Sequence, residues 1–147
     1  HQVVRRQRQM CIRDSPSVVN LLDATPFIPV IAPIGIGEDF KTYNINADIV
    51  AGKIAKILQA GKYVVLTNTT GIFDDNGNLI KSMNAEQVRQ LVNKGIISSG
   101  MLPKVESALE AVSAGVQNVQ IIDGTIDHAI LLELFTDEGV GTMIRRT

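Results

Sequence analysis

The sequence predicts an α/β fold in which a mainly parallel sheet is covered by helices, and three observations carry that expectation. Aromatic residues are only 4% of the chain and Trp is absent, so the core must be built from Ile, Val, Leu and Ala. Short, almost purely apolar, β-rich runs such as Tyr63-Val64-Val65-Leu66 and Val119-Gln120-Ile121-Ile122 suit strands buried on both faces. These runs alternate with segments whose apolar residues recur at helical spacing, and such alternation implies crossovers between parallel strands.

Along the chain, His1 to Asp14 contains Arg5, Arg6, Arg8 and Arg13 in a Gln-rich background with neither helical nor strand periodicity. It reads as a solvated or disordered arm, residues 1–15, ahead of one domain spanning residues 16–147. Phe27-Ile28-Pro29-Val30-Ile31-Ala32-Pro33-Ile34 is a proline-punctuated apolar run that fits a buried strand, followed by a loop at Gly35 and Gly37. Ile49, Val50, Ile54, Ile57 and Leu58 predict a helix with Gly61 as its C-cap. Strand Tyr63 to Leu66 then runs into a polar loop, Thr67-Asn68-Thr69-Thr70-Gly71, and ligands favour such strand ends.

Asp74-Asp75-Asn76-Gly77-Asn78 is a turn signal whose flanks could pair as a small hairpin. Asn84 with Gln87 three residues on predicts a capped helix through Val88, Leu91 and Val92, closed by Gly95. Pro103 suits the first turn of a further helix with a stripe of Val105, Leu109 and Val112, closed by Gly115. Strand Val119 to Ile122, a helix from His128 to Phe135 and a short strand Thr142 to Ile144 complete the chain.

With 147 residues and 45% hydrophobic content, a single core is expected. The net charge of -1 supplies no global basic field, which argues against a nucleic-acid partner. Cys11 is the one cysteine and has no internal disulfide partner. No apolar run reaches the roughly 18 residues of a membrane span. A soluble, cytoplasmic protein without a membrane partner is the expectation.

Two clusters could carry chemistry. Asn44, Asn46 and Asp48 alternate on the approach to a helix, where side-chain amides and a carboxylate could converge, although simple capping accounts for one of them. In Ile96-Ile97-Ser98-Ser99-Gly100-Met101-Leu102-Pro103-Lys104, a small-residue loop precedes a helix whose first turn presents a lysine. Positive charge there opposes the helix macrodipole unless an anion is bound, so helix-start amides with the Lys104 ammonium form a candidate phosphate site. An ordinary surface lysine is the alternative. His128 reads as structural or surface rather than as an acid-base group, and Asp74 with Asp75 as a turn, because the spacing lacks the ligand repeat of a calcium loop. No Cys/His zinc cluster, Gly-x-Ser-x-Gly elbow or Walker-type phosphate loop is present.

Four ordered motifs resemble the N-acetylglutamate kinases: Asn44-Ile45-Asn46-Ala47-Asp48, Leu66 to Ile72, Gly95 to Val105, and Leu132 to Thr142. The resemblance spans about Pro26 to Ile144. It implies a three-layer αβα sandwich in which the N-terminal half binds the acyl acceptor and the C-terminal half, present here, binds ATP. It places Asn44, with Asn46 beside it, at the acetylglutamate. Asp48 would orient the catalytic lysines, and Lys104 would lie on the transferring phosphoryl group. Asn68, Thr69, Thr70, Gly71, Ile72 and Phe73, with Ile96, Ile97 and Ser98, would border the nucleotide. Magnesium would accompany ATP, with no tightly bound cofactor and no metal held by the protein. The acceptor carboxylate is already ionised at neutral pH, so catalysis would reduce to alignment and charge neutralisation.

The same resemblance implies a homo-oligomer when intact and arginine as an inhibitor bound near the closing Asp137-Glu138-Gly139-Val140-Gly141-Thr142. Two departures stand out. The family usually has Asp where Asn68 stands, and its N-terminal Lys and Gly-Gly loops are absent, so no useful turnover is expected of this chain alone. Met10-Cys11-Ile12-Arg13-Asp14-Ser15 is also what ATG TGT ATA AGA GAC AG encodes, which resembles a transposon end used in sequencing libraries. The natural sequence is then expected to begin near Pro16. Competing readings are a kinase for another blocked acidic amino acid, of the aminoadipate type, and a non-catalytic nucleotide- or arginine-binding module.

Overall fold

A computed structural model describes residues 26, 28–97, 99–136 and 139–146. The basic arm and its boundary at residue 15 lie outside them, as do Ser98, Asp137 and Glu138. The elements are β1 (Ile34–Ile36), β2 (Thr42–Asn44), α1 (Ala47–Ile57), β3 (Lys62–Thr67), β4 (Ser82–Asn84), α2 (Ala85–Asn93), α3 (Leu102–Ser113), β5 (Asn118–Asp123), α4 (Ala129–Phe135) and β6 (Gly141–Arg145).

The main sheet has four strands in the order β3-β5-β6-β4. β3 and β5 pair in parallel from Lys62↔Asn118 to Thr67↔Asp123, β4 and β6 are parallel, and β5 and β6 are antiparallel. The expected parallel character therefore holds for two of the three pairings, and the sheet is mixed. Period-2 alternation sends Tyr63, Val65, Val119, Ile121 and Ile144 to one face, where they join Ala55 of α1, Val88 of α2, and Val105, Ala108, Ala111 and Val112 of α3 in one core. Helix α4 packs against β5 and buries Ala129 and Glu133. This is the α/β arrangement with flanking helices that the alternation of patterns predicted.

The connections decide where a ligand can sit. Helix α1 leads directly into the start of β3, and α3 into the start of β5. Both helices therefore begin at the end of the sheet where these two parallel strands finish, the usual place for a site in a parallel α/β sheet.

Several local expectations hold. Asn84 and Gln87 form a reciprocal capping box on α2. Gly95 (φ 72°) and Gly115 (φ 114°) adopt the left-handed backbone that ends their helices. The Asp74 carboxylate receives the Asn76 and Asn78 amides at 2.9 and 2.8 Å, and Phe73 bridges Leu79 across the turn.

Three expectations are corrected. The apolar run after Pro26 is not a buried strand: Ile28 is 90% exposed and Val30 94%. Pro26, Pro29 and Pro33 remove ladder donors from this run, and pairing begins at Ile34, where β2 offers Asn44. Phe27 lies outside the described residues. Gly35 belongs to β1, and the loop runs from Gly37 through Phe40 (φ 58°). Gly61 is not the cap of α1; Gln59 takes the left-handed position (φ 48°). Its side-chain amide donates to the carbonyls of Lys56 (2.7 Å) and Ala114 (3.0 Å), satisfying helix-end acceptors that a glycine cap leaves to the backbone.

Thr142 ties the polar loop after β3 to the core. Its Oγ1 accepts the Ile72 amide at 2.8 Å with the side chain fully buried. Gly71 makes that approach possible, since a Cβ there would lie 2.5 Å from the same oxygen. Replacing Thr142 by Val keeps the shape but strands a buried N–H, and should cost about 1–3 kcal/mol in urea unfolding. An unchanged midpoint would contradict this account of the loop.

Candidate active site

Asp48 and Lys104 come together across the two helix starts. The Lys104 ammonium donates to the Asp48 carboxylate at 2.9 Å, each side chain only about one-fifth exposed (21% and 20%). Each charge sits in the first turn of its helix. Asp48 complements the α1 dipole, whereas Lys104 opposes that of α3, so the carboxylate of one helix offsets the misplaced cation of the other. Within the protein, Asp48 supplies an anion beside Lys104.

The two helix starts differ. Asn46 caps α1, its side-chain oxygen accepting the amides of Asp48 at 2.9 Å and Ile49 at 3.4 Å. Of the two readings for Asn46, capping occupies its oxygen and leaves its amide group as a donor. Asn44 ends β2 and is exposed. Helix α3 has no side-chain cap, and Pro103 contributes no N–H.

Asn68, Thr69 and Thr70 are exposed at the end of β3, while Gly71 and Ile72 are buried behind them against Thr142. Phe73 is 40% exposed. The ends of β3 and β5 are joined by the Gly124 amide donating to Thr67 O at 2.8 Å. Ile96 and Ile97 are partly buried, and Ile97 packs on the core. Ser98 lies outside the described residues. The structure therefore brings Asp48 and Lys104 into contact and sets the Asn68 to Phe73 loop at the same end of the sheet.

Sequence reasoning missed Tyr63 and Ser107. The Ser107 hydroxyl donates to the main-chain carbonyl of Asp48 (2.9 Å) and meets the Tyr63 hydroxyl at 2.9 Å, with Tyr63 3.4 Å from the same carbonyl. Two signals were present: a serine within the apolar stripe of α3, and Gly52 one turn beyond Asp48 inside a helix. Burial pushes the Tyr63 phenol above its usual range, the Ser107 hydrogen bond pulls it back, and the Asp48 charge pushes it up again.

Residues 3–123 match the amino acid kinase family. The chain belongs to that family. Curated relatives include an acetylglutamate kinase of Nitrosococcus oceani, 59% identical over 87% of this chain and 42% of the relative. Another, from Nitrosomonas eutropha, is 57% identical over 88% of this chain and 44% of its own length. The chain thus spans less than half of these amino acid kinases. Among solved structures, an N-acetylglutamate synthase from Neisseria gonorrhoeae, complexed with coenzyme A and L-arginine, superposes with a TM-score of 0.84 at 31% identity, over 90% of this chain and 31% of that one. An isopentenyl phosphate kinase from T. acidophilum shares the fold at a TM-score of 0.60, with 22% identity over 90% of this chain and 53% of its own. Among the described residues, no helix is long and apolar enough to cross a membrane.

The phenol beside the ion pair gives a direct readout, because the chain has two tyrosines and no Trp. In a Tyr43→Phe variant the remaining phenol, Tyr63, should titrate above about 10 by ultraviolet absorbance. The folded state then holds this proton more tightly than the unfolded state does. Stability is unaffected below about pH 10 and falls as pH rises further. A phenol titrating at or below its usual value would contradict the buried placement.

Proposed function

We propose that this chain is the nucleotide-binding part of a kinase that transfers the terminal phosphoryl group of magnesium-ATP to the side-chain carboxylate of N-acetyl-L-glutamate. The observation that carries the proposal is the Asp48–Lys104 pair at an uncapped helix start, on the sheet end where β3 and β5 finish. The identity to acetylglutamate kinases over 87–88% of the chain supports the acceptor.

In this reading a carboxylate oxygen attacks the γ-phosphorus, the bond to the bridging oxygen breaks, and ADP leaves with that electron pair. No proton need be removed from the acceptor. Lys104 neutralises charge on the phosphoryl oxygens, assisted by the α3 helix start, and Asp48 keeps the ammonium aimed until phosphate takes its place. The exposed Asn68 to Thr70 edge, with Gly71 to Phe73 behind it, borders the nucleotide in this reading, Ile96, Ile97 and Ser98 are assigned to the same role, and magnesium would accompany the ATP phosphates. Asn44 and the Asn46 amide donors face the acceptor. The upstream half supplies the rest of its pocket, and the intact protein is a cytoplasmic homo-oligomer. L-Arginine, bound in the Neisseria gonorrhoeae synthase structure, is assigned here an inhibitory role through the closing Asp137 to Thr142 segment.

The test is hydroxamate trapping of acyl phosphate by the full-length protein carrying its own upstream coding sequence, comparing N-acetylglutamate with glutamate and aspartate. Product with N-acetylglutamate alone is expected, and Lys104→Ala should lower its rate about 10²- to 10³-fold. No product with any acceptor would favour a binding module. Full activity in Lys104→Ala would remove Lys104 from the chemistry.

A further inference from the structure

Asp48 is gripped twice by the same face of α3. Lys104 holds its carboxylate, and Ser107, three residues further along that helix, donates to its main-chain carbonyl at 2.9 Å. Both contacts are set by how closely α1 approaches α3, and that approach depends on Gly52. A Cβ at Gly52 would lie 2.5 Å from the Ser107 hydroxyl oxygen and 3.3 Å from the Ser107 carbonyl oxygen. Behind Ser107 stands Tyr63 of β3, whose hydroxyl is 2.9 Å from the serine oxygen and 3.4 Å from the Asp48 carbonyl. Ser107 and Tyr63 are both buried, at 6% and 7% exposure, so the hydroxyls are shielded from competing water.

A helix–helix contact needing only adhesion has no use for this arrangement, since two hydroxyls buried in an apolar stripe cost more than alanine and phenylalanine unless their hydrogen bonds do something specific. Here they converge on the peptide of the one residue whose carboxylate meets Lys104. We propose that Ser107, backed by Tyr63, is a positioning residue that holds the Asp48 main chain so that its carboxylate keeps the Lys104 ammonium in line for phosphoryl transfer. This rests on the kinase reading above.

The experiment is a double-mutant cycle in the full-length protein, reading kcat and the KM for ATP by hydroxamate trapping. Ser107→Ala should lower kcat about 10-fold or more, since small misplacement of an aligned group is costly in rate. The KM for ATP should move less than about twofold, because binding of the nucleotide does not require the in-line ammonium. In an Asp48→Asn background, where no carboxylate is left to aim, the same substitution should cost nothing further. Tyr63→Phe removes one hydroxyl at constant shape and should follow the same pattern more weakly, which keeps the test open should Ser107→Ala fold poorly. Unchanged kcat in both variants, or an equal cost with and without the Asp48 carboxylate, would overturn the assignment and leave a structural contact only. If Lys104→Ala itself retained full activity, the kinase reading would fail rather than this one.

Discussion

The close contact of α1 with α3 is the constraint on which the site depends. Two helices that each precede a parallel strand must start at the same end of the sheet, but nothing in that topology makes their first turns touch. Gly52 does so, by leaving the space that the Ser107 hydroxyl occupies. With the helices that close, a first-turn aspartate of one falls within 2.9 Å of a first-turn lysine of the other. Lys104 works against its helix dipole, and the Asp48 carboxylate, favoured by its own dipole but four-fifths shielded from water, still needs a partner. Together they form a neutral pair that an arriving phosphate can rearrange.

The far ends of the two helices are held differently. Glu110 of α3 takes Lys53 and Lys56 of α1, and the hydrogen bond from Lys53 draws its carboxyl below the usual range. This exposed cluster steers alignment and is screened by salt, so it contributes little stability. Near the start of β3 the Gln59 amide reaches across to the last turn of α3. The contact is thus pinned along its length, with the more shielded hydrogen bonds beside Asp48 and the exposed ones at the far end.

Much of this was legible in the residues. Apolar runs at 63–66 and 119–122 marked the strands, and the capping box at Asn84 and the glycines at 95 and 115 marked helix ends, because each is a local signal with one physical solution. Lys104 stood out because a lysine in a first helical turn needs an explanation. Pairing partners were not legible. The run after Pro26 looks like a strand, yet hydrogen bonds there depend on a neighbour that local sequence does not specify. Gln59 replaced Gly61 as a cap because its amide finds Ala114, a contact made only after α1 and α3 have packed. The role of Ser107 is illegible in local sequence for the same reason, since it exists only where Gly52 lets a second helix approach.

The most direct measurement is a crystal structure of the full-length protein with magnesium and a non-hydrolysable ATP analogue. The account predicts the terminal phosphate within about 3 Å of the Lys104 ammonium, a charge-assisted hydrogen bond, at the sheet end where β3 and β5 finish. A terminal phosphate bound elsewhere, with Lys104 still locked on Asp48, would contradict it and reduce the pair to a brace between two helices.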